Sequence, residues 1–252
     1  MIKLLLCGCN GYMGRVITSC VDAREKFEIS AGIDLNVEMN STYPVFSKAS
    51  DFHGEADVII DFSHPSALAG NLEYALKNNT PIIIATTGLS KEQVDDIHAA
   101  SQKIPVFFTA NMSIGVNLMT ELVKKATALL CEDFDIEVIE AHHNQKIDAP
   151  SGTANMLISS IQEACNEPKT LEFDRHSKRK KREKCEIGVH AIRGGTIVGE
   201  HTVRFAGRDE IFSISHSARS KEVFAVGSLN AAEFMVGKSA GLYSMSDVIS
   251  GL

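Results

Sequence analysis

The 252-residue chain has no apolar run near the roughly 18 residues that a membrane-spanning helix needs. Its start, Met1-Ile2-Lys3-Leu4, lacks the charged-then-apolar layout of a signal peptide, because the apolar run stops at Cys7. No membrane partner is expected, and a cytoplasmic location is. Six cysteines (7, 9, 20, 131, 165 and 185) are scattered without a CxxC pair, so neither a zinc site nor a disulfide framework is indicated. Cys7 and Cys9 read as small buried residues. Positive charge is in short supply: 25 Lys and Arg against 32 Asp and Glu leave a net charge of −7, which argues against general nucleic-acid binding. The exception is Lys178-Arg179-Lys180-Lys181-Arg182, read as a solvated loop, with a lid or anion-steering role as the alternative. No internal repeat appears.

A hydrophobic content of 44% and a charged content of 23% are those of an ordinary globular protein, long enough for one large domain or two small ones. Short apolar strands (Ile2–Cys7, Glu28–Ile33, Asp57–Phe62, Pro81–Ala85, Pro105–Phe108) alternate with helical stretches at Arg15 onward, Ala67–Lys77 and Ser90 to about Gln102. The segment from Asp34 to Gly54 reads as irregular. This rhythm predicts a Rossmann-like, doubly wound parallel sheet. After Asn111 it changes: a helix over Val116–Leu130, a strand over Asp135–Glu140, and a helix capped by Ser151. Three strands then follow at Cys185–Ile192, Ile197–Phe205 and Ile211–His216. Turns at Gly194-Gly195 and Gly207-Arg208-Asp209 predict two hairpins, as in an α+β domain. The helical tail from Glu222 is expected to return to the first domain. The expected domains are 1–113 with 223–252 for a dinucleotide, and 114–222 for substrate and assembly, with hinges near Ser113 and Glu222.

Gly8-Cys9-Asn10-Gly11-Tyr12-Met13-Gly14 follows the first strand directly and precedes a helix. Its G-x-x-G-x-x-G spacing is a relative of the dinucleotide fingerprint: one glycine for the turn, one for approach of a pyrophosphate, one for helix packing. A glycine trio alone also fits an ordinary turn. Here the strand–loop–helix order is right, and Asp34 closes the second strand where a ribose-binding acid belongs.

Glu140-Ala141-His142-His143-Asn144-Gln145-Lys146 runs into Ile147-Asp148-Ala149-Pro150-Ser151-Gly152-Thr153-Ala154. Two imidazoles and an ammonium can donate protons or hold carboxylates, and the amides of a helix opening at Ser151 form an anion site. The cluster suits a small, acidic, nitrogen-containing substrate. Plainer readings stand beside it: His143 as a structural histidine, Lys146 as a surface lysine, and His201 as a packing or interface residue. A metal held by Glu140, His142 and His143 would lack an evident further ligand.

With these segments, Ala85-Thr86-Thr87-Gly88, Ala110 to Leu118, Arg193 to Thr202 and Gly241 to Val248, the chain resembles the 4-hydroxy-tetrahydrodipicolinate reductases, also called dihydrodipicolinate reductases. The resemblance spans nearly the whole chain. It implies reduction of a ring dicarboxylate by a nicotinamide cofactor in the diaminopimelate route to lysine, within a homotetramer assembled through the second domain. By position it makes His142 the acid/base and Lys146 a second proton donor or electrostatic stabiliser. His143, Gly152 and Thr153 would grip the two carboxylates. Gly8, Cys9, Asn10, Gly11, Tyr12 and Met13 would hold the pyrophosphate and Asp34 the ribose. Ala85, Thr86 and Thr87, with Thr109, Ala110, Asn111 and Met112, would line the nicotinamide side. Hydride addition leaves an enamine-like anion, so a proton donor within hydrogen-bond reach helps, and imidazole suits that task.

Three positions depart from the family pattern: Ala85 replaces a usual Gly, Met112 a common Phe, and Leu35 the Arg of some members. The last bears on cofactor choice. Asp34 can accept both ribose hydroxyls of NADH, but would face the 2′-phosphate of NADPH with no Arg beside it. NADH is therefore expected over NADPH, unless a cation near Lys48 reaches the phosphate. Another Rossmann dehydrogenase, acting on an amino acid or a sugar, and a non-catalytic nucleotide sensor are the rival readings. A sensor would have no need of His142, Lys146 and the Ser151 helix start together.

Overall fold

In the computed structural model, which describes residues 1–38 and 42–251, the first apolar run forms β1 (Ile2–Cys7). Its last four residues are all buried, as expected of a strand covered on both faces. Next come α1 (Tyr12–Asp22), β2 (Phe27–Ile33), the two-residue β3 (Val45–Phe46), β4 (Val58–Asp61), α2 (Leu68–Asn78), β5 (Ile82–Ile84), α3 (Lys91–Ser101) and β6 (Pro105–Phe108). Every pairing in this sheet is parallel, in the order β3-β2-β1-β4-β5-β6. Leu5, Ile59, Ile82, Ile84 and Val106 pack on Leu72 and Ala75 of α2 and Ile97 and Ala100 of α3. Capping fixes helix starts: Ser90 accepts the Gln93 amide while the Gln93 side chain returns to the Ser90 amide, a full capping box.

The remaining elements are α4 (Ile114–Leu130), β7 (Asp135–His142), α5 (Gly152–Ala164), β8 (Thr170–Glu172), β9 (Glu186–Arg193), β10 (Gly199–Ala206), β11 (Ile211–Ala218), α6 (Glu222–Met235), β12 (Gly241–Tyr243) and α7 (Met245–Ser250). The chain divides into two compact units, Met1–Ser113 with Lys221–Leu252, and Ile114–Ser220. In the first, β12 extends the parallel sheet beside β6, and α6 lies against α1 and against β4, β5 and β6. In the second, Val138 of β7, Val189 of β9 and Val203 of β10 form one buried face beneath Val123 of α4 and Leu157 of α5.

The Rossmann-like sheet and the mixed-sheet second part agree with the sequence expectation, but details differ. The segment after Asp34 is not wholly irregular: β3 and a 3₁₀ turn at Ala49–Asp51 lie in it, while residues 39–41 fall outside the described residues. β8, β12 and α7 were not foreseen, the two strands being only three residues long.

The main correction concerns the Gly194-Gly195 turn, which does not join a hairpin. The second sheet runs β11-β10-β7-β9-β8, so β7 lies between β9 and β10, parallel to the first and antiparallel to the second. The turn instead arches over the end of β7, where the Gly194 amide donates to the His142 carbonyl at 2.9 Å and the Asn144 amide to the Gly195 carbonyl at 3.2 Å. Gly195 has φ +49°, which favours glycine. Only β10 and β11 form the expected hairpin.

Candidate active site

The glycine loop sits between β1 and α1. Gly8 has φ +78°, and a Cβ there would lie 2.6 Å from the Phe62 carbonyl oxygen, so no side chain is tolerated. A Cβ on Gly14 would strike the Gly8 and Cys9 carbonyls, which is why α1 packs so closely on its own loop. Cys9 is buried as a whole residue. Tyr12 and Met13 form the first turn of α1. Asp34 Oδ2 accepts the Asn10 amide at 3.0 Å and Oδ1 the Asn36 amide at 3.1 Å. These bonds aim the carboxylate, and each oxygen keeps lone-pair capacity for a ribose hydroxyl.

A cleft of about 920 Å³ opens at the carboxyl ends of these strands, lined by Gly8, Gly11, Asp34, Leu35, Lys48 and His53 among others. Ligands of open α/β sheets bind at this edge, and the glycine turn with an aimed acid fits the adenosine half of a dinucleotide. Ala85, Thr86 and Thr87, and Thr109, Ala110, Asn111 and Met112, are not among the cleft's lining residues; they follow β5 and β6 at the same edge of the sheet. Asn111 Oδ1 accepts the Ser113 amide at 2.8 Å, and Met112 is buried. One group escaped sequence reasoning. Asp61, fully buried at the end of β4, accepts the Ser63 amide at 2.8 Å, Asn71 Nδ2 at 2.9 Å and the Thr86 hydroxyl at 3.3 Å.

In the second unit, residues two apart on β7 share a face, so Glu140 and His142 point the same way. Glu140 is wholly buried and His142 nearly so. His142 Nδ1 lies 2.6 Å from Glu140 Oε2. Register pairs His142 with Arg193 on β9, and the Arg193 guanidinium grips the same carboxylate twice, each contact at 2.7 Å. The Ser151 amide adds a fourth bond to Glu140 Oε1 at 3.1 Å. Burial alone pushes the Glu140 carboxyl up, but Arg193, His142 and the Ser151 amide together hold it below the usual carboxylate range. An ionised Glu140 makes Nδ1 the donor, which leaves Nε2 of His142 as the atom free to exchange a proton.

Ser151 also caps α5, its hydroxyl accepting the Ala154 amide at 3.1 Å, and lies 2.9 Å from His201 Nε2. Burial above all, with the like charge of His142 next, pushes His201 down to about 4, so the ring is neutral near neutral pH. It packs edge-on against His142, with centroids 5.1 Å apart. Gly152 and Thr153 open α5 and remain accessible, as does the half-buried His143. Lys146 is held by its amide to the His143 carbonyl at 3.1 Å and by Nζ to Asp148 Oδ1 at 2.8 Å. That contact keeps the Asp148 carboxyl low. His142, Ser151 and His201 therefore meet in one cluster, with Glu140 and Arg193 behind them. Sequence reasoning assigned no role to Arg193 and weighed Glu140 only as a metal ligand. The signal for Glu140 was the strand period of two. For Arg193 no local signal existed, since its place depends on β9 pairing with β7.

Three of the five cations of the basic run are ion-paired, and the run is largely exposed. Arg182 pairs with Asp135 at 3.0 Å and with Glu137, Lys180 with Glu183 at 2.7 Å and Glu186 at 3.3 Å, and Lys178 with Glu172. Among the described residues no set of three His, Cys, Asp or Glu side chains gathers as a metal site, and no helix is long and apolar enough to cross a membrane.

A glycine loop with an aimed acid in one unit and a carboxylate-seated histidine in the other define an oxidoreductase of the Rossmann class. Family models describe the chain along nearly its whole length: dihydrodipicolinate reductase, N-terminus, over residues 2–112, and dihydrodipicolinate reductase, C-terminus, over residues 115–249. The 4-hydroxy-tetrahydrodipicolinate reductase of Clostridium novyi is 50% identical over 249 residues, covering 99% of this chain and 98% of the relative. That of Caldanaerobacter subterraneus is 47% identical with the same coverage. The dipicolinate-bound dihydrodipicolinate reductase from Paenisporosarcina sp. TG-14 superimposes with a TM-score of 0.82 at 25% identity, over 97% of each chain. The chain belongs to the dihydrodipicolinate reductase family, whose members are nicotinamide-dependent reductases.

Proposed function

We propose that the chain reduces 4-hydroxy-tetrahydrodipicolinate to tetrahydrodipicolinate with NAD(P)H, in the diaminopimelate route to lysine. The observation that carries this reading is His142 seated on buried Glu140 and Arg193, with the Ser151 amide at the start of α5 on the same carboxylate. The nicotinamide, when bound, supplies the hydride. His142 donates the proton from Nε2, and Lys146 stabilises the anion or supplies a second proton. His143 and the Gly152 and Thr153 amides hold the substrate's carboxylates, where a helix N-terminus favours negative charge. Residues 1–113 and 223–252 serve the dinucleotide and 114–222 the substrate. Gly8, Cys9, Asn10, Gly11, Tyr12 and Met13 hold the pyrophosphate and Asp34 the ribose. Ala85, Thr86, Thr87, Thr109, Ala110, Asn111 and Met112 take the nicotinamide side.

NADH is the preferred cofactor in this reading, by a few-fold to tens-fold, since one unmatched charge costs about 1–3 kcal/mol. A second reading has specific support: Lys48 lines the same cleft as Asp34, so its ammonium is a candidate partner for a 2′-phosphate. We further propose a cytoplasmic homotetramer assembled through the second unit. β11 is a sheet edge with Ile211 and Phe212 exposed, and such edges are usually covered. Coupling the protein to the synthase that condenses aspartate semialdehyde with pyruvate, while following nicotinamide absorbance, tests the activity. No oxidation beside a working control enzyme would refute it.

A further inference from the structure

The helix-covered face of β10 carries Gly199, His201, Val203 and Phe205, all buried, and the one residue without a side chain is the one beside the acid. A Cβ at Gly199 would lie 3.1 Å from His142 Nε2, 3.5 Å from His142 Cδ2 and 3.8 Å from His201 Cε1. Gly199 is absent from the glycines with positive φ, so its backbone conformation suits any residue. What the position excludes is therefore volume. The imidazole has little room to give way. Its Nδ1 is held by Glu140 at 2.6 Å, its ring abuts His201, and its carbonyl is fixed by the Gly194 amide at 2.9 Å. A methyl group at position 199 would either cap Nε2 or lever the ring off Glu140.

We propose that Gly199 is a positioning residue for proton transfer: its missing side chain keeps His142 Nε2 uncapped and the ring seated on its carboxylate. This rests on His142 being the proton donor, so the test separates the two. Gly199→Ala is made in the full chain, alone and with His142→Ala. Alone it should lower kcat at least tenfold and leave the NADH dissociation constant unchanged. It should also move the alkaline limb of the kcat/KM profile to lower pH, because a methyl against Nε2 takes water from the charged ring. With His142→Ala it should add less than a twofold further loss. Wild-type kcat and an unmoved limb in Gly199→Ala, with His142→Ala still slow, would overturn the proposal while sparing the acid. A full multiplicative loss in the double variant would also overturn it, by placing the effect elsewhere. Wild-type turnover in His142→Ala would remove the acid assignment and the proposal together. Should Gly199→Ala alone not fold, the double variant, which lacks the ring that the methyl strikes, must fold. Failure there too would overturn the inference.

Discussion

Glu140→Gln removes one charge from the middle of the site and almost no volume. The carboxylate takes two bonds from Arg193 at 2.7 Å, one from His142 at 2.6 Å and one from the Ser151 amide at 3.1 Å. An amide replaces one carboxylate oxygen by an NH2 that only donates, and each oxygen accepts from two donors, so at least one contact becomes repulsive. Removing one partner of a buried pair costs about 3–5 kcal/mol. The Arg193 side chain is 20% exposed and keeps the Asp148 carbonyl at 2.6 Å, which lowers the expected cost to about 2–3 kcal/mol. For a chain of this length that is a drop of roughly 4–12 °C in Tm, read by calorimetry. Turnover should fall by about 10²-fold or more, because the ring loses the group that fixes its tautomer, while NADH affinity holds. The pH dependence has a definite sign. A carboxyl held low in the folded state contributes stability above its unfolded value of about 4.3 and loses it as pH falls through the folded one. The gap in Tm between wild type and variant should thus be flat from about pH 5 to 8 and close below about pH 4. A gap that widens in acid, or a kcat within threefold of wild type, would refute the assigned role of Glu140.

His142→Ala and Lys146→Ala should each lower kcat by about 10²-fold or more, with the NADH dissociation constant unchanged by calorimetric titration; equal damage to both would make the segment structural. Lys48→Ala should raise the KM for NADPH and leave that for NADH, measured at one ionic strength, and no change for NADPH would remove Lys48 from the phosphate site. Ser151→Ala loses the α5 cap, worth about 1 kcal/mol, and the His201 bond; binding of dipicolinate should weaken several-fold without loss of NADH binding. Light scattering that finds a stable, active monomer at assay concentration would contradict the proposed tetramer.

Local signals carried the strand–loop–helix at Gly8–Gly14, the alternating elements of the parallel sheet, and the Ser151 cap, since each depends on neighbours within a few residues. What local signals could not carry was pairing. Gly194-Gly195 has the composition of a hairpin turn, and nothing nearby indicates that β7 will slip between β9 and β10. That insertion brings Arg193 to one side of His142 and Gly199 to the other. Half of the surroundings of His142 thus follow from the sheet order. Ion pairing of the basic run was equally hidden, because Glu137, Glu172 and Glu186 come from three different strands.

Two buried carboxylates show how one device serves two ends. Asp61 and Glu140 each stand on a central strand, at or near its carboxyl end, and each is fully buried. An isolated buried charge is very costly, so each must be surrounded by donors. Around Asp61 the donors are neutral: an amide, a serine and a threonine hydroxyl and an asparagine. Such a set ties the turns after β4 and β5 to one point. Around Glu140 the donors include a guanidinium and an imidazole, which couple the carboxylate to a group that can change its charge. Arg193 and His142 meet on the same carboxylate oxygen, so Glu140 fixes the orientation of the His142 ring while its other contacts fix the carboxylate. Glu140 therefore has a titratable imidazole among its donors, and the four donors that hold Asp61 include none.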